Sequence, residues 1–207
     1  GVALAYLPSL QGVRLRLTSS NELAKESKEI ARAIEDRLGQ LVFAKENTTL
    51  SHVVHNLLVE HKIKLVLAES CTGGNIMATL VKHPGSSQYL LGGHVVYSND
   101  WKHKEIDVKK DLIASCGAVS EEVARSMAEG AMANAHSDMA LAVTGIAGPE
   151  GGSPTKPVGT VHVALCYNKT TYHKKFSLHT DRAVNIALTT TLALNMIRLA
   201  LQGSLET

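Results

Sequence analysis

Aromatic side chains make up only 4% of the 207 residues, with a single tryptophan and two phenylalanines. That is too few for a platform on which single-stranded nucleic acid stacks. Charge of one sign is lacking too: 21 Lys and Arg stand against 19 Asp and Glu, a net +2, and the charges are scattered rather than blocked. This argues against a duplex-DNA groove binder or a polybasic membrane module, while leaving room for a local basic pocket. No apolar run reads as a membrane span, and no signal-peptide pattern opens the chain. The three cysteines, Cys71, Cys116 and Cys166, lie far apart with no CxxC. Neither a disulfide framework nor a zinc site is expected, and a reduced, cytoplasmic setting is. His94, His103, His162, His173 and His179 show no spacing that resembles a ligand set, so no metal and no cofactor is expected. The chain opens on Gly1 rather than Met, as a fragment or a processed form would.

What is present is an alternation of strands and helices. Two short segments, VALAYL and VRLRLT, alternate as strands, and SSNELAKESKEIARAIEDRLG predicts a helix with polar caps at Ser20 and Asn21 and a stop at Gly39. QLVFA (40–44) reads as a third short strand. After the linker-like KENTT, Leu50, Val53, Val54, Leu57 and Leu58 fall on one helical face. Next come the strand KLVLAE, a loop and helix, the strand GGHVVYS (92–98), a lysine-rich turn, the segment KKDLIASCG and the helix SEEVARSMAEGAMANAHS, capped by Ser120. DMALAVTG predicts a further strand, TVHVALCY and TYHKKFSL a hairpin across NKT, and a long helix from about Asp181 to Leu201 closes the chain. The expected architecture is a three-layer α/β/α sandwich with a mostly parallel mixed sheet over residues 46–207, preceded by a small α+β unit over 1–45. Arg14 and Arg16 in that unit alternate with apolar residues, as on a solvated or partner-facing sheet face.

Ligands of open α/β sheets collect beyond the carboxyl ends of the strands. Three polar or glycine-rich loops sit there: ESCTGG (69–74), YSNDWK (97–102) and TGIAGPEGG (144–152). In the first, Ser70 or Thr72 either caps a helix or places a hydroxyl nucleophile beside backbone amides that stabilise an oxyanion, with Gly73 and Gly74 permitting close approach. Taken alone, capping is the better reading. Cys71 is a competing nucleophile, but a small thiol more often fills a core. The second loop offers Tyr97 and Lys102; a lysine of lowered pKa is able to take a serine proton, whereas a solvated lysine is the plain alternative. The third is long and without regular structure, and Thr144 and Lys156 are candidates to touch phosphate. It is neither a Walker loop nor GxGxxG.

AESCTGG, PGSS, GGHVVYSND, GAVSEEVA, MAEGA, AVTGIAGPEGG and KPVGTVHVAL occur in that order. Together they resemble the C-terminal domain of the CinA family, the nicotinamide-mononucleotide deamidase domain, over about residues 46–201. Residues 1–45 are similar to the small connecting domain of the longer CinA proteins. The resemblance implies hydrolysis of the carboxamide of nicotinamide mononucleotide to nicotinate mononucleotide and ammonia, in pyridine-nucleotide recycling, by a homodimer needing no metal. It implies Ser70 as nucleophile, Lys102 as its base and Tyr97 assisting. Substrate contacts are expected from Thr72, Gly73 and Gly74, from Ser86 and Ser87, from Asn99, from Thr144, Gly145, Ala147 and Gly148, and from Arg182 on the phosphate. Ile186 stands where the family usually carries a second arginine. Gly73 and Gly74 are the expected oxyanion donors. Rival readings are a non-catalytic nucleotide-binding or competence-related module and an amidohydrolase for another carboxamide; neither nucleic acid nor membrane is an expected partner.

Overall fold

Alternation of large and small apolar residues along the central strands sets the layering. A computed structural model describes residues 1–206 of the chain. In chain order the elements are a hairpin of β1 (Ala3–Ser9) and β2 (Gly12–Thr18), helices α1 (Ala24–Leu38) and α2 (Leu50–Glu60), strand β3 (Leu65–Glu69), helix α3 (Asn75–Leu80) and strand β4 (Leu90–Val95). Helices α4 (Asn99–Ile106), α5 (Lys110–Cys116) and α6 (Glu121–Ala135) follow, then strands β5 (Met139–Gly145), β6 (Thr160–Tyr167) and β7 (Thr170–Ser177), and helix α7 (Arg182–Leu201).

The main sheet runs β4-β3-β5-β6-β7. β3 is parallel to β4 and β5, and β6 is antiparallel to both β5 and β7, so one strand of five points against the rest. Because side chains alternate across a strand, Leu65, Leu67, Met139, Leu141, Val143, Val161, Val163 and Leu165 share one face, covered by α2, α3 and α7. The opposite face carries Val66, Ala68, Ala140, Ala142 and Ala164, and there the alanine-rich α6 packs with α4 and α5 outside it. Helices on both faces make this the expected α/β/α sandwich.

Three expectations are corrected. The strand expected over 40–44 does not form: Gly39–Leu41 is a 3-10 turn, the small sheet contains only β1 and β2, and Phe43 packs toward the main core instead. The long apolar run excluded from the sequence does exist. α7 is 20 residues long and holds an 18-residue window of mean hydropathy 1.4, long and apolar enough to cross a membrane by length and composition. It packs here as a core helix, with Ala193, Leu194, Ile197 and Leu201 buried in the layer beneath the sheet and a buried Arg198 donating to the Gln40 carbonyl at 2.7 Å. Finally, the segment read as an exit loop and lysine-rich turn contains α4, capped by Ser98, whose Oγ accepts from the Trp101 amide at 3.1 Å. Its buried face is Lys102 and Ile106, one turn apart. α6 crosses it at Gly130, where any Cβ would overlap the Ile106 carbonyl.

Candidate active site

β3 and β5 end side by side, and the loop that leaves β3 is pinned to its neighbour: the Ser70 amide donates to the Val143 carbonyl at 3.1 Å. Neither Ser70 nor Thr72 caps α3. The cap is the carboxylate of Glu69, only 2% exposed, which accepts from Thr72 Oγ1 at 2.7 Å and from the amides of Gly74, Ile76 and Met77 at 2.8–3.1 Å. A carboxylate satisfies these orphan amides and complements the positive end of the helix. It also removes Gly74 as an oxyanion donor, and Gly73 donates instead to the Ser70 carbonyl at 3.1 Å. The two glycines serve the turn, at φ of 61° and 95°. Thr72 holds the cap rather than a ligand. Among the described residues, the amides that donate to nothing within the chain in this turn are those of Cys71 and Thr72.

Ser70 is 7% exposed and Lys102 2%. Lys102 Nζ lies 3.1 Å from Ser70 Oγ, 3.0 Å from the Val96 carbonyl and 3.3 Å from the Tyr97 carbonyl. No carboxylate pairs with this amine among the described ion pairs. Burial pushes its pKa down, because a cation with no counter-ion is costly away from water. A neutral amine has two N–H bonds and one lone pair. The two carbonyls take the donors, which leaves the lone pair for the Ser70 hydroxyl.

Cys71, beside Ser70, is 6% exposed, and burial pushes its thiol up to about 12. It stays protonated near neutral pH and so does not supply the anion that would raise the lysine pKa again. Its Sγ packs where Gly145 approaches closely enough that a Cβ would lie 3.1 Å from the sulfur. Cys71 fills the junction of β3 and β5; it is not poised as a nucleophile.

Arg182 begins α7, is exposed, and donates to the Gly148 carbonyl at 3.0 Å and to Tyr97 Oη at 2.8 Å. The Tyr97 side chain thus rests on Arg182, while its backbone carbonyl serves Lys102. Arg182 is in none of the described ion pairs, so it presents positive charge at the rim of the site. Ile186 follows one turn later on the same helix face.

The glycine-rich segment after β5 is fastened from outside. Asn185, 1% exposed, donates to the Ala147 carbonyl at 2.9 Å and to the His179 carbonyl at 2.8 Å, and accepts from the His179 amide. Nothing in the sequence singled it out; its place four residues after the Asp181 cap was the available signal. Thr144 Oγ1 donates to the Ala118 carbonyl, and Lys156 Nζ to the Cys116 carbonyl at 2.7 Å, so both are used within the chain. Gly145, Ala147 and Gly148 line the loop beside Ser70 and Arg182, and Asn99 sits exposed at the first turn of α4, three residues before Lys102. Ser86 and Ser87 are not part of this site. They form the turn that leads into β4, where the Tyr89 carbonyl accepts from the Leu65 amide at the amino end of β3. Five strand residues, about 16 Å, separate that end from Ser70.

The model of the CinA C-terminal domain matches residues 47–201. A putative competence-damage inducible protein of Alkaliphilus oremlandii is 40% identical over 191 residues, 90% of this chain and 46% of that protein. A CinA-like protein of Chlorobium phaeobacteroides is 40% identical over 98% of this chain and 50% of its own length. The chain thus spans about half the length of these relatives. Among solved structures, the competence/damage inducible protein CihA of Agrobacterium tumefaciens superposes with a TM-score of 0.71 at 36% identity, covering 74% of this chain and 93% of that one. A CinA superfamily protein of Klebsiella pneumoniae gives 0.72 at 30%, covering 74% and 96%. A matched model across three quarters of the chain, together with relatives at this identity, places the chain in the CinA family, within its C-terminal domain.

Proposed function

We propose that Ser70 and Lys102 are the nucleophile and base of an amidohydrolase that converts nicotinamide mononucleotide to nicotinate mononucleotide and ammonia. The observation that carries this reading is the 3.1 Å approach of a buried amine, with no counter-ion among the described residues, to a serine hydroxyl at a strand end. A serine is a weak nucleophile until a neighbouring base takes its proton.

In this scheme neutral Lys102 takes the Ser70 proton as Oγ bonds to the carboxamide carbon. The Cys71 and Thr72 amides face the oxygen that gains charge; each such donor is typically worth about 3 kcal/mol. The lysine ammonium then returns its proton to the amide nitrogen, the C–N bond breaks, and ammonia leaves an ester on Ser70. Water attacks that ester, Lys102 accepting its proton, and the carboxylate product departs with Ser70 restored. Arg182, oriented by Tyr97 and Gly148, holds the phosphate through its planar fork.

The test is ammonia release from nicotinamide, its riboside and its mononucleotide. The phosphate anchor demands that the mononucleotide be much the best. No ammonia from any of the three would make the site a binding module, and equal turnover of all three would remove the phosphate role.

A further inference from the structure

Past Ile146 the glycine-rich loop leaves the sheet. The Ile146 amide still donates to the Thr160 carbonyl at 2.9 Å, and its carbonyl accepts from the Gly159 amide at 2.8 Å. Among the described residues no backbone amide donates to the next two carbonyls, those of Ala147 and Gly148. Side chains from the first turn of α7 take them instead: Asn185 Nδ2 donates to Ala147 at 2.9 Å and Arg182 Nη1 to Gly148 at 3.0 Å. We propose that Asn185 is a positioning residue for Arg182. It holds the loop so that the guanidinium is aimed at a phosphate before one arrives, and thereby sets the preference for the mononucleotide over its riboside. The inference rests on the reading of Arg182 as the phosphate anchor.

The Asn185 side chain is 1% exposed and fully used. Both Nδ2 hydrogens are committed, to the Ala147 and His179 carbonyls, and Oδ1 accepts from the His179 amide at 2.9 Å. The flipped amide would set its oxygen against two carbonyls, so a single orientation fits. Removing the amide strands the carbonyl of Ala147, a residue only 6% exposed, and an unpaired carbonyl away from water is costly. The loop then has to shift to find another partner, and Gly148, the next residue, shifts with it.

Arg182 depends on where Gly148 lies. Its guanidinium has two fixed acceptors, the Gly148 carbonyl on one Nη and Tyr97 Oη, at 2.8 Å, on the other. These set its plane and leave the remaining N–H bonds for an anion. An exposed arginine ordered only on binding would surrender its rotamer freedom at that moment, which weakens affinity. Gly148 also rests against the residues that lead into α7, where a Cβ would lie 2.9 Å from the Thr180 carbonyl. The plain alternative is a cap for α7 alone, since Asn185 also closes the turn at His179.

The test is a double-mutant cycle on the intact chain. It is read as KM and kcat for ammonia release from nicotinamide mononucleotide and its riboside, and as Kd for nicotinate mononucleotide by calorimetry. Asn185→Leu should raise KM and Kd for the mononucleotides by about fivefold or more, keep kcat within about twofold, and leave the riboside unaffected. In an Arg182→Gln background the same change should add almost nothing, because it acts through the arginine. Leu194→Ala, in the core further along α7, should lower the thermal midpoint without raising KM. Should Asn185→Leu fail to fold, Asn185→Ser, which leaves room for water, carries the same cycle. Losses that add in the double variant, a fall mainly in kcat, an unchanged KM, or an equal rise in Leu194→Ala would overturn the positioning role. No ammonia from the unaltered chain, with the Kd cycle intact, would overturn the hydrolysis and keep the positioning role, so the two fail separately. Neither turnover nor binding would overturn both.

Discussion

Lys102 Nζ stands 3.1 Å from Ser70 Oγ although 32 residues and a strand crossover separate them in the chain. The amine reaches the hydroxyl from the buried face of α4, with Ile106 as its neighbour one turn on. The proposed hydrolysis depends on that pair.

Burial lowers the Lys102 pKa, so kcat/KM for ammonia release should rise with pH through a group titrating below the ordinary lysine value of about 10.4. Lys102→Arg should abolish turnover, because a guanidinium does not give up its proton. The sign for stability is opposite to that of a paired lysine. The unfolded chain binds this proton more tightly, so stability is lost as pH falls from the unfolded pKa through the folded one. Lys102→Met should therefore raise the thermal midpoint near neutral pH while leaving no activity. A lower midpoint would show that the amine stabilises the fold.

Ser70→Ala should remove turnover and Cys71→Ala should retain it. The thiol, pushed up to about 12 and buried, should react with alkylating agents far more slowly than the partly exposed Cys116. Loss of activity in both variants at unchanged stability would return the nucleophile to question.

Glu69→Ala should cost about 2–4 kcal/mol in chemical denaturation, since it strands the Ile76 and Met77 amides and the Thr72 hydroxyl without acceptors. Glu69→Gln, which keeps a carbonyl oxygen, should cost less. Equal stability of all three proteins would mean that solvent replaces the cap.

Arg182→Gln should raise KM for nicotinamide mononucleotide by tenfold or more, at about 1.4 kcal/mol per decade, and leave the riboside unaffected. Tyr97→Phe removes the hydroxyl that orients Arg182 and should follow it in KM, by a few fold, with kcat largely kept. A main loss in kcat would assign Tyr97 to proton transfer instead.

His162 is buried with Nδ1 2.9 Å from His173 Nε2, and its pKa is pushed down to about 4 by burial first and then by His173, Lys175 and Lys156. The unfolded chain therefore binds more protons between about 6.5 and 4. Its contribution to stability is complete above that window and is lost as pH falls through it. Denaturation midpoints measured from pH 7 to 4 should drop less steeply in His162→Gln.

The sequence was most legible where apolar periodicity is strong. β3, β5, β6 and β7, the hairpin between the last two, and α2, α6 and α7 all lie where period-2 or helical spacing puts them. α4 was illegible because its inward face is Lys102 and Ile106 in an otherwise polar run, and a buried lysine looks like a solvated one until its surroundings are known. QLVFA has strand composition but no partner edge, so pairing decided against it. PGSS resembles a ligand loop in words, yet the parallel register of β3 and β4 places Ser86 and Ser87 at the wrong end of the sheet.

By itself the sequence determined the alternation of strands and helices, the three loops at strand ends and the resemblance that nominated Ser70 and Lys102, because periodicity and motif order are local properties of the chain. Only the tertiary structure decided that Glu69 caps α3 and that Cys71 is buried at the junction of β3 and β5 with its thiol pKa pushed up. It alone decided that Lys102 is buried against the Ser70 hydroxyl, with no counter-ion among the described residues. Burial and charge pairing belong to residues distant in sequence, and no local pattern encodes them.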